Sequence, residues 1–304
     1  MSNAHALNRS AALASIAVAL LLVGLKVWAV LSTGSTAMLG SLADTALDLV
    51  ASVATLVGVW IAAQPEDDNH RFGHGKAEAL AAMFQVVLIA ISAVSLAFRA
   101  IDQWLAGTRP AGADGGIAVS LIAMAATFAL LAWQRHVIRQ TNSLAISTDH
   151  VHYQSDLLLN LAVIAALALD QYAGIAGADP VFGLAIALWL GWGAWGASRR
   201  AVDQLMDREW DDEKKERFLA VVARQPELKG LHDLKTRTSG NHDFVQFHVW
   251  VDPSMTVQEA HDVMDDVEAR LMREFPGIEV LIHPDPEGHH DSVGAAEVDL
   301  LANR

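Results

Sequence analysis

The chain has 304 residues, 53% of them hydrophobic and 18% charged. Soluble domains usually carry about a quarter charged residues, so this balance leans toward a membrane. The net charge of −14 is concentrated late, with 22 Asp/Glu against 11 Lys/Arg in residues 207–304. That acidity argues against nucleic-acid binding, which needs a basic patch, and the absence of cysteine excludes disulfides and thiolate metal sites.

Six apolar runs are long enough to span a bilayer, which takes about 20 residues. They lie near residues 10–32, 35–63, 78–106, 114–138, 142–170 and 179–200. The first is too long for a signal-peptide core, and no cleavage pattern follows it. With the N-terminus in the cytoplasm, the inner flanks hold Arg9, Arg71, Lys76, Arg135, Arg139, Arg199 and Arg200. The opposite flanks hold only Arg99 and Arg109. The positive-inside rule therefore predicts both termini in the cytosol.

In the first span Lys26 is expected to snorkel or to pair locally. The second span contains "SLADTALDLVAS", with Asp44 and Asp48 one helical turn apart on one face. Each ionised Asp near the bilayer centre costs about 2.5–3.5 kcal/mol on insertion scales, so the pair needs a reason. The fifth span repeats the spacing in "HYQSD", with His152 and Asp156. At about 1.5 Å of rise per residue, both pairs fall near mid-bilayer. Three carboxylates and one imidazole could close a tetrahedral shell around a divalent cation such as zinc. Helix-packing polar residues or a metal-free proton relay are the blander readings. Two such pairs on two helices favour the cation.

The loop after the second span reads "EDDNHRFGHGKAE". His70 and His74 sit four apart, with Asp67 or Asp68 just before, and Gly73 and Gly75 argue against a helix there. A solvated loop and an exposed metal site are both compatible with that pattern.

After residue 206 the pattern is that of a soluble α-β-β-α-β domain. "DDEKKERFLAVVARQ" opens a helix with acidic residues, and "LHDLKTRT" and "FVQFHVWV" are strands joined at "SGNH". "TVQEAHDVMDDVEARLMREF" is a second helix stopped by Pro276-Gly277, and "IEVLIHP" is the third strand. A turn at Gly240-Asn241 sets His232 almost opposite His248. His283 and Asp285 end the third strand and His261 lies on the second helix; any one His is ordinarily a surface residue, but four His and an Asp converging on one small sheet favour a metal site. The domains are drawn as 1–206 and 207–291, with 292–304 a frayed tail. No His-Glu-x-x-His or nucleophile arrangement is present, so no enzymatic reaction is expected.

The motifs "DTALD", "HYQSD" and "HRFGHGKAE", with the terminal αββαβ domain, resemble the cation diffusion facilitators. Within that family the chain looks like the prokaryotic zinc and ferrous-iron efflux proteins, from the first span to about Asp285. The resemblance implies a homodimer in the cytoplasmic membrane that exchanges a divalent cation for protons by alternating access. Zinc is the expected cargo, with cadmium, ferrous iron or manganese as alternatives. It implies a transport site of Asp44, Asp48, His152 and Asp156, and a loop site of Asp67, His70 and His74. It also implies a binuclear cytosolic site of His232, His248, His261, His283 and Asp285, and a Lys76–Asp207 pair at the dimer interface. Pro284, between His283 and Asp285, departs from the polar residue a close relative can carry there.

Overall fold

The computed structural model describes residues 2–33, 36–106, 117–173, 177–224, 228–288 and 300–301. Arg109 of the charge argument lies outside them, as does most of the expected tail. The chain divides into two compact units, Met1–Val202 and Asp203–Arg304.

The first unit consists of α1 (Ser2–Thr33), α2 (Thr36–Ala62), α3 (Ala77–Ala106), α4 (Ile117–Thr141), α5 (Leu144–Ala173) and α6 (Ala178–Leu205). Among the described residues, all but α5 are long and apolar enough to cross a membrane. The helix that falls short is the one carrying Asp149, His150, His152 and Asp156. Lipid supplies no hydrophobic force between helices, so close packing of small residues and polar contacts must hold them together. Both are present. Ala11, Ala12, Val59, Ala81, Val137, Ala145 and Ile146 form one core, and a Cβ at Gly58 would overlap the Ala81 side chain. Glycine at 58 is thus what lets α2 meet α3.

The polar contacts centre on Asp149, which is fully buried. Its carboxylate accepts from Ser15 Oγ of α1 (2.6 Å), Gln134 Nε2 of α4 (2.8 Å) and Gln85 Nε2 of α3 (2.9 Å). One turn on, the Tyr153 hydroxyl donates to the Ser15 carbonyl (3.1 Å) and lies 2.8 Å from Ser52 Oγ of α2. Five helices are tied together beside His152.

The second unit runs α7 (Asp212–Val222), β1 (Lys229–Ser239), β2 (His242–Val251), α8 (Val257–Glu274) and β3 (Ile278–Pro286). Asp211 caps α7 by accepting from the Lys214 N–H. Thr256 and Glu259 form a reciprocal capping box that starts α8. Strands β1 and β2 pair antiparallel and β2 and β3 parallel, in the order β1-β2-β3. The helices cover one face, burying Phe218, Val222, Leu231, Phe247, Val267 and Leu271 in a single core. Pro284 is accommodated because β3 is an edge strand.

Two residues of the expected tail, Leu300 and Leu301, are described. The Leu300 N–H donates to the Leu231 carbonyl (2.8 Å), and Leu300 and Leu301 pack on the core of this unit. Two adjacent leucines thus cover apolar surface of this unit.

Candidate metal centres

Three groups of ligand-type side chains converge among the described residues. The first lies between α2 and α5. Asp48, His152 and Asp156 each present an atom within 4.8 Å of the others, and His152 Nε2 stands 2.9 Å from Asp48 Oδ1. His152 is buried, whereas the carboxylates are half-buried. The i,i+4 spacing on α5 and the Asp48 position on α2 bring these groups to one point without any backbone irregularity. Asp44, the fourth expected member, is not drawn in. It is exposed, and its Oδ2 lies 3.6 Å from Arg99 Nη1 of α3. Lys26 Nζ donates to Thr45 Oγ1 at 2.5 Å, so it pairs with the neighbouring helix.

The second group is the loop between α2 and α3. Asp67 Oδ1 accepts from the backbone N–H groups of His70 (2.7 Å) and Asn69 (2.9 Å) and lies 3.1 Å from His70 Nδ1. His74 Nε2 is 3.5 Å from Asp67 Oδ2, and the two imidazoles lie 4.5 Å apart. A non-helical turn, with Gly73 at φ +72°, brings the two histidines together. The His74 Nδ1–H donates to the Pro65 carbonyl (3.2 Å), leaving Nε2 available. The backbone bond from His70 is the main cause holding the Asp67 carboxyl below its usual range. Asp68 turns away to Arg71, 3.1 Å off.

The third group lies on the sheet. The register sets His232 opposite His248, as the hairpin turn predicts, and His248 opposite His283. One row of imidazoles thus crosses all three strands. His248 Nδ1 is 2.8 Å and His232 Nε2 3.3 Å from Oδ2 of the buried Asp285. The His232 Nδ1–H donates to the Gly230 carbonyl (2.7 Å), which fixes the tautomer that leaves Nε2 bare. Gly230 sits at φ +59° beneath the Trp250 ring, in space that a Cβ would occupy. His283 flanks the group, its Nε2 3.4 Å from Asp285 Oδ1 and its ring 4.6 Å from that of His248. His283 and Asp285 share a face because they are two apart on a strand, so Pro284 between them points the other way. His261 does not join. It is exposed on α8, with Nδ1 3.4 Å from Asp265 Oδ1.

Several neighbours of these groups were not picked out from the sequence. Asp233, in a bulge of β1 at φ +47°, brings Oδ2 to 3.7 Å from His248 Nε2. A bulge leaves no mark in strand alternation. Asp149 could have been found, being three residues before His152 and thus on its face. Lys76 precedes α3 in the first unit. Asp207 belongs to the second, where its carboxylate stands 3.7 Å from Arg237 Nη1.

These arrangements can be set beside known proteins. Residues 12–206 match the family description "Cation efflux transmembrane domain", and residues 210–287 match "Cation efflux protein, cytoplasmic domain". The cation-efflux pump FieF of Escherichia fergusonii is 40% identical over 276 residues, covering 91% of this chain and 92% of its own. FieF of Serratia proteamaculans is 40% identical over 280 residues, covering 92% and 93%. The solved zinc form of CzrB is 36% identical, spanning 28% of this chain and 98% of its own, at a TM-score of 0.26. The family is one of transporters, which agrees with the lack of an enzymatic motif. With both domains and nearly its full length matched, this multi-pass membrane protein belongs to the cation efflux family.

Proposed function

We propose that this chain exports a divalent cation, zinc, from the cytosol in exchange for protons, working as a homodimer by alternating access. The observation that carries the reading is the convergence of Asp48, His152 and Asp156 from two membrane helices. Ionisable groups inside a bilayer default to an ion pathway. Imidazole with carboxylates suits zinc, and the softer nitrogen favours it over manganese. Ligands must be deprotonated to hold metal, so metal binding expels protons and proton binding expels metal. His152 is the coupling group in this reading, since its Nε2 can hold either a proton or the metal. Asp44 completes the shell in the loaded state.

The loop triad of Asp67, His70 and His74 is read as an exposed metal site, and the sheet group as a resident zinc site. The donor set fits: two imidazoles and a buried carboxylate, one imidazole oriented by the Gly230 carbonyl. His232, His248 and Asp285 would hold one ion, and His283 would extend the group toward a second. A bound metal there supplies charge compensation between acidic surfaces. His261, exposed on α8, reaches such a shell only from a second copy, and Lys76 with Asp207 would serve the same dimer interface. Excess Lys/Arg on one set of flanks supports cytosolic termini in the inner membrane.

A harder cargo, manganese or ferrous iron, is the reading favoured by the carboxylate majority of the membrane group. A membrane metal sensor is the alternative from another class, but it has no use for ligands in mid-bilayer. Flux of zinc, cadmium, manganese and ferrous iron into sealed proteoliposomes, with and without an imposed pH gradient, separates these. Zinc flux that rises with the proton gradient is expected. No flux of any metal would sink the transporter reading in favour of the sensor.

A further inference from the structure

Four ligands are expected in the membrane, yet three converge, and the fourth is engaged elsewhere. Asp44 sits one turn before Asp48 on α2, with its carboxylate 3.6 Å from the Arg99 guanidinium. Arg99 is 22 residues into α3, roughly 33 Å along it at 1.5 Å per residue, so it lies toward the end remote from the 63–76 loop. Asp44 is 8 residues into α2, which runs toward that loop, so it lies at the same remote end. The positive-inside count treats Arg99 as a flank charge, but its side chain is occupied by a transport-site carboxylate. On the α1 side the Lys26 Nζ donates to Thr45 Oγ1, the neighbour of Asp44 in the chain (2.5 Å). Basic side chains from α1 and α3 therefore flank the acidic turn of α2.

We propose that Arg99 competes with the metal for Asp44, holding that carboxylate out of the shell until a divalent ion takes it. The inference rests on the transport-site reading given above. The guanidinium 3.6 Å away attracts the Asp44 carboxylate and must be displaced before that carboxylate can turn to the metal group. A dication attracts a carboxylate twice as strongly as a monocation at equal distance, so it can strip Asp44 from the guanidinium while sodium or potassium cannot. Release runs the other way. Arg99 recaptures Asp44, the shell falls to three ligands, and the ion leaves on the side where Arg99 stands. Arg99 is in this sense a specificity-determining residue that never touches the metal.

The test is zinc flux in proteoliposomes of the full chain, comparing Arg99→Gln, Arg99→Lys, Asp44→Asn and the double variant Arg99→Gln/Asp44→Asn. Arg99→Gln is expected to lower KM for zinc several-fold and also to lower maximal flux, because Asp44 binds the ion unopposed and gives it up slowly. Arg99→Lys should recover much of both parameters. In the Asp44→Asn background Arg99→Gln should add nothing to KM. A lost maximal flux with KM unchanged or raised, in both backgrounds, would mean that Arg99 only supports the fold, and the proposal falls. Absence of wild-type flux would instead defeat the transporter reading. The pair is then judged by calorimetric Zn2+ titration of the detergent-solubilised chain carrying His70→Ala, His74→Ala, His232→Ala and His248→Ala. Adding Arg99→Gln should tighten the remaining site, and equal affinity overturns the proposal.

Discussion

His152 Nε2 lies 2.9 Å from Asp48 Oδ1, joining α5 to α2 at the point where Asp156 also arrives. In the absence of metal this contact is a hydrogen bond, one of the two groups carrying the proton. A cation must replace that proton to bind. The two residues therefore form the smallest unit in which competition between metal and proton can occur.

Asp48→Ala should abolish zinc flux while leaving the protein folded. Substitution of outer-shell partners typically costs about 10–100-fold in metal affinity, so loss of a direct ligand should cost at least that much. The fold should survive because Asp48 is only half-buried and the Asp149 network that ties the helices is untouched. Wild-type flux in proteoliposomes of a monodisperse Asp48→Ala protein would remove Asp48 from the site.

The second unit, produced as residues 203–304, should bind zinc through His232, His248 and Asp285, and zinc should promote its dimerisation. Bridging cations offset the repulsion between acidic surfaces. The fragment needs its last residues. Leu300 and Leu301 are partly buried, and full burial of a leucine contributes about 1.5–3 kcal/mol, so Leu300→Ala/Leu301→Ala should destabilise it by about 1–2 kcal/mol. For a domain of this size that lowers the midpoint by roughly 4–16 °C. Calorimetry for zinc and thermal unfolding of the two fragments measure these effects. Undiminished zinc binding by His232→Ala/His248→Ala would refute the sheet site, and an unchanged midpoint would refute the anchoring role of the leucines.

What the sequence made legible follows from periodicity. The i,i+4 pairs on α2 and α5, the αββαβ order and the register of His232 against His248 all depend on repeats of 3.6 or 2, which survive in one dimension. The choice between partners does not. Asp44 is as well spaced as Asp48, yet a guanidinium 55 positions later engages it. Asp67 and Asp68 are neighbours, but only Asp67 closes the turn onto His70, while Asp68 meets Arg71. His261 has the right chemistry on the wrong side of α8 for its own sheet group. The first choice is made by a tertiary contact and the others by competing local ones that spacing alone does not rank, and the bulge at Asp233 shows the same limit for a strand.

The pH response of the second unit has a sign that can be tested at Glu268. Desolvation, reinforced by nearby Asp265, raises its carboxyl above the usual 4.5. An acid whose folded pKa is raised is penalised when ionised in the folded state. The penalty is absent below the unfolded value and fully present above the folded one. Glu268→Gln should therefore raise the midpoint of the 203–304 fragment at pH 7 and leave it unchanged near pH 4. A stabilisation of equal size at both values would show that the charge is not the cause.

His152→Asp should shift selectivity from zinc toward manganese. The substitution removes the imidazole that lies against Asp48 and leaves carboxylates alone, a harder shell suited to ions that prefer six oxygens. The tetrahedral bias that favours zinc weakens at the same time. Proton exchange also moves to lower pH, because an imidazole with an ordinary pKa of about 6.5 gives way to a carboxylate of about 3.9. Crowding the carboxylates works against full activity, since closely spaced like charges hold one of them protonated. Part of the maximal flux should therefore be lost, while the manganese-to-zinc ratio rises. The measurement is that ratio in proteoliposomes, for wild type and variant, at about pH 6 and about pH 7.5, on either side of an ordinary imidazole pKa. An active variant with the wild-type ratio at both values would mean that His152 does not touch the metal, and the α2–α5 site would have to be rebuilt around the aspartates.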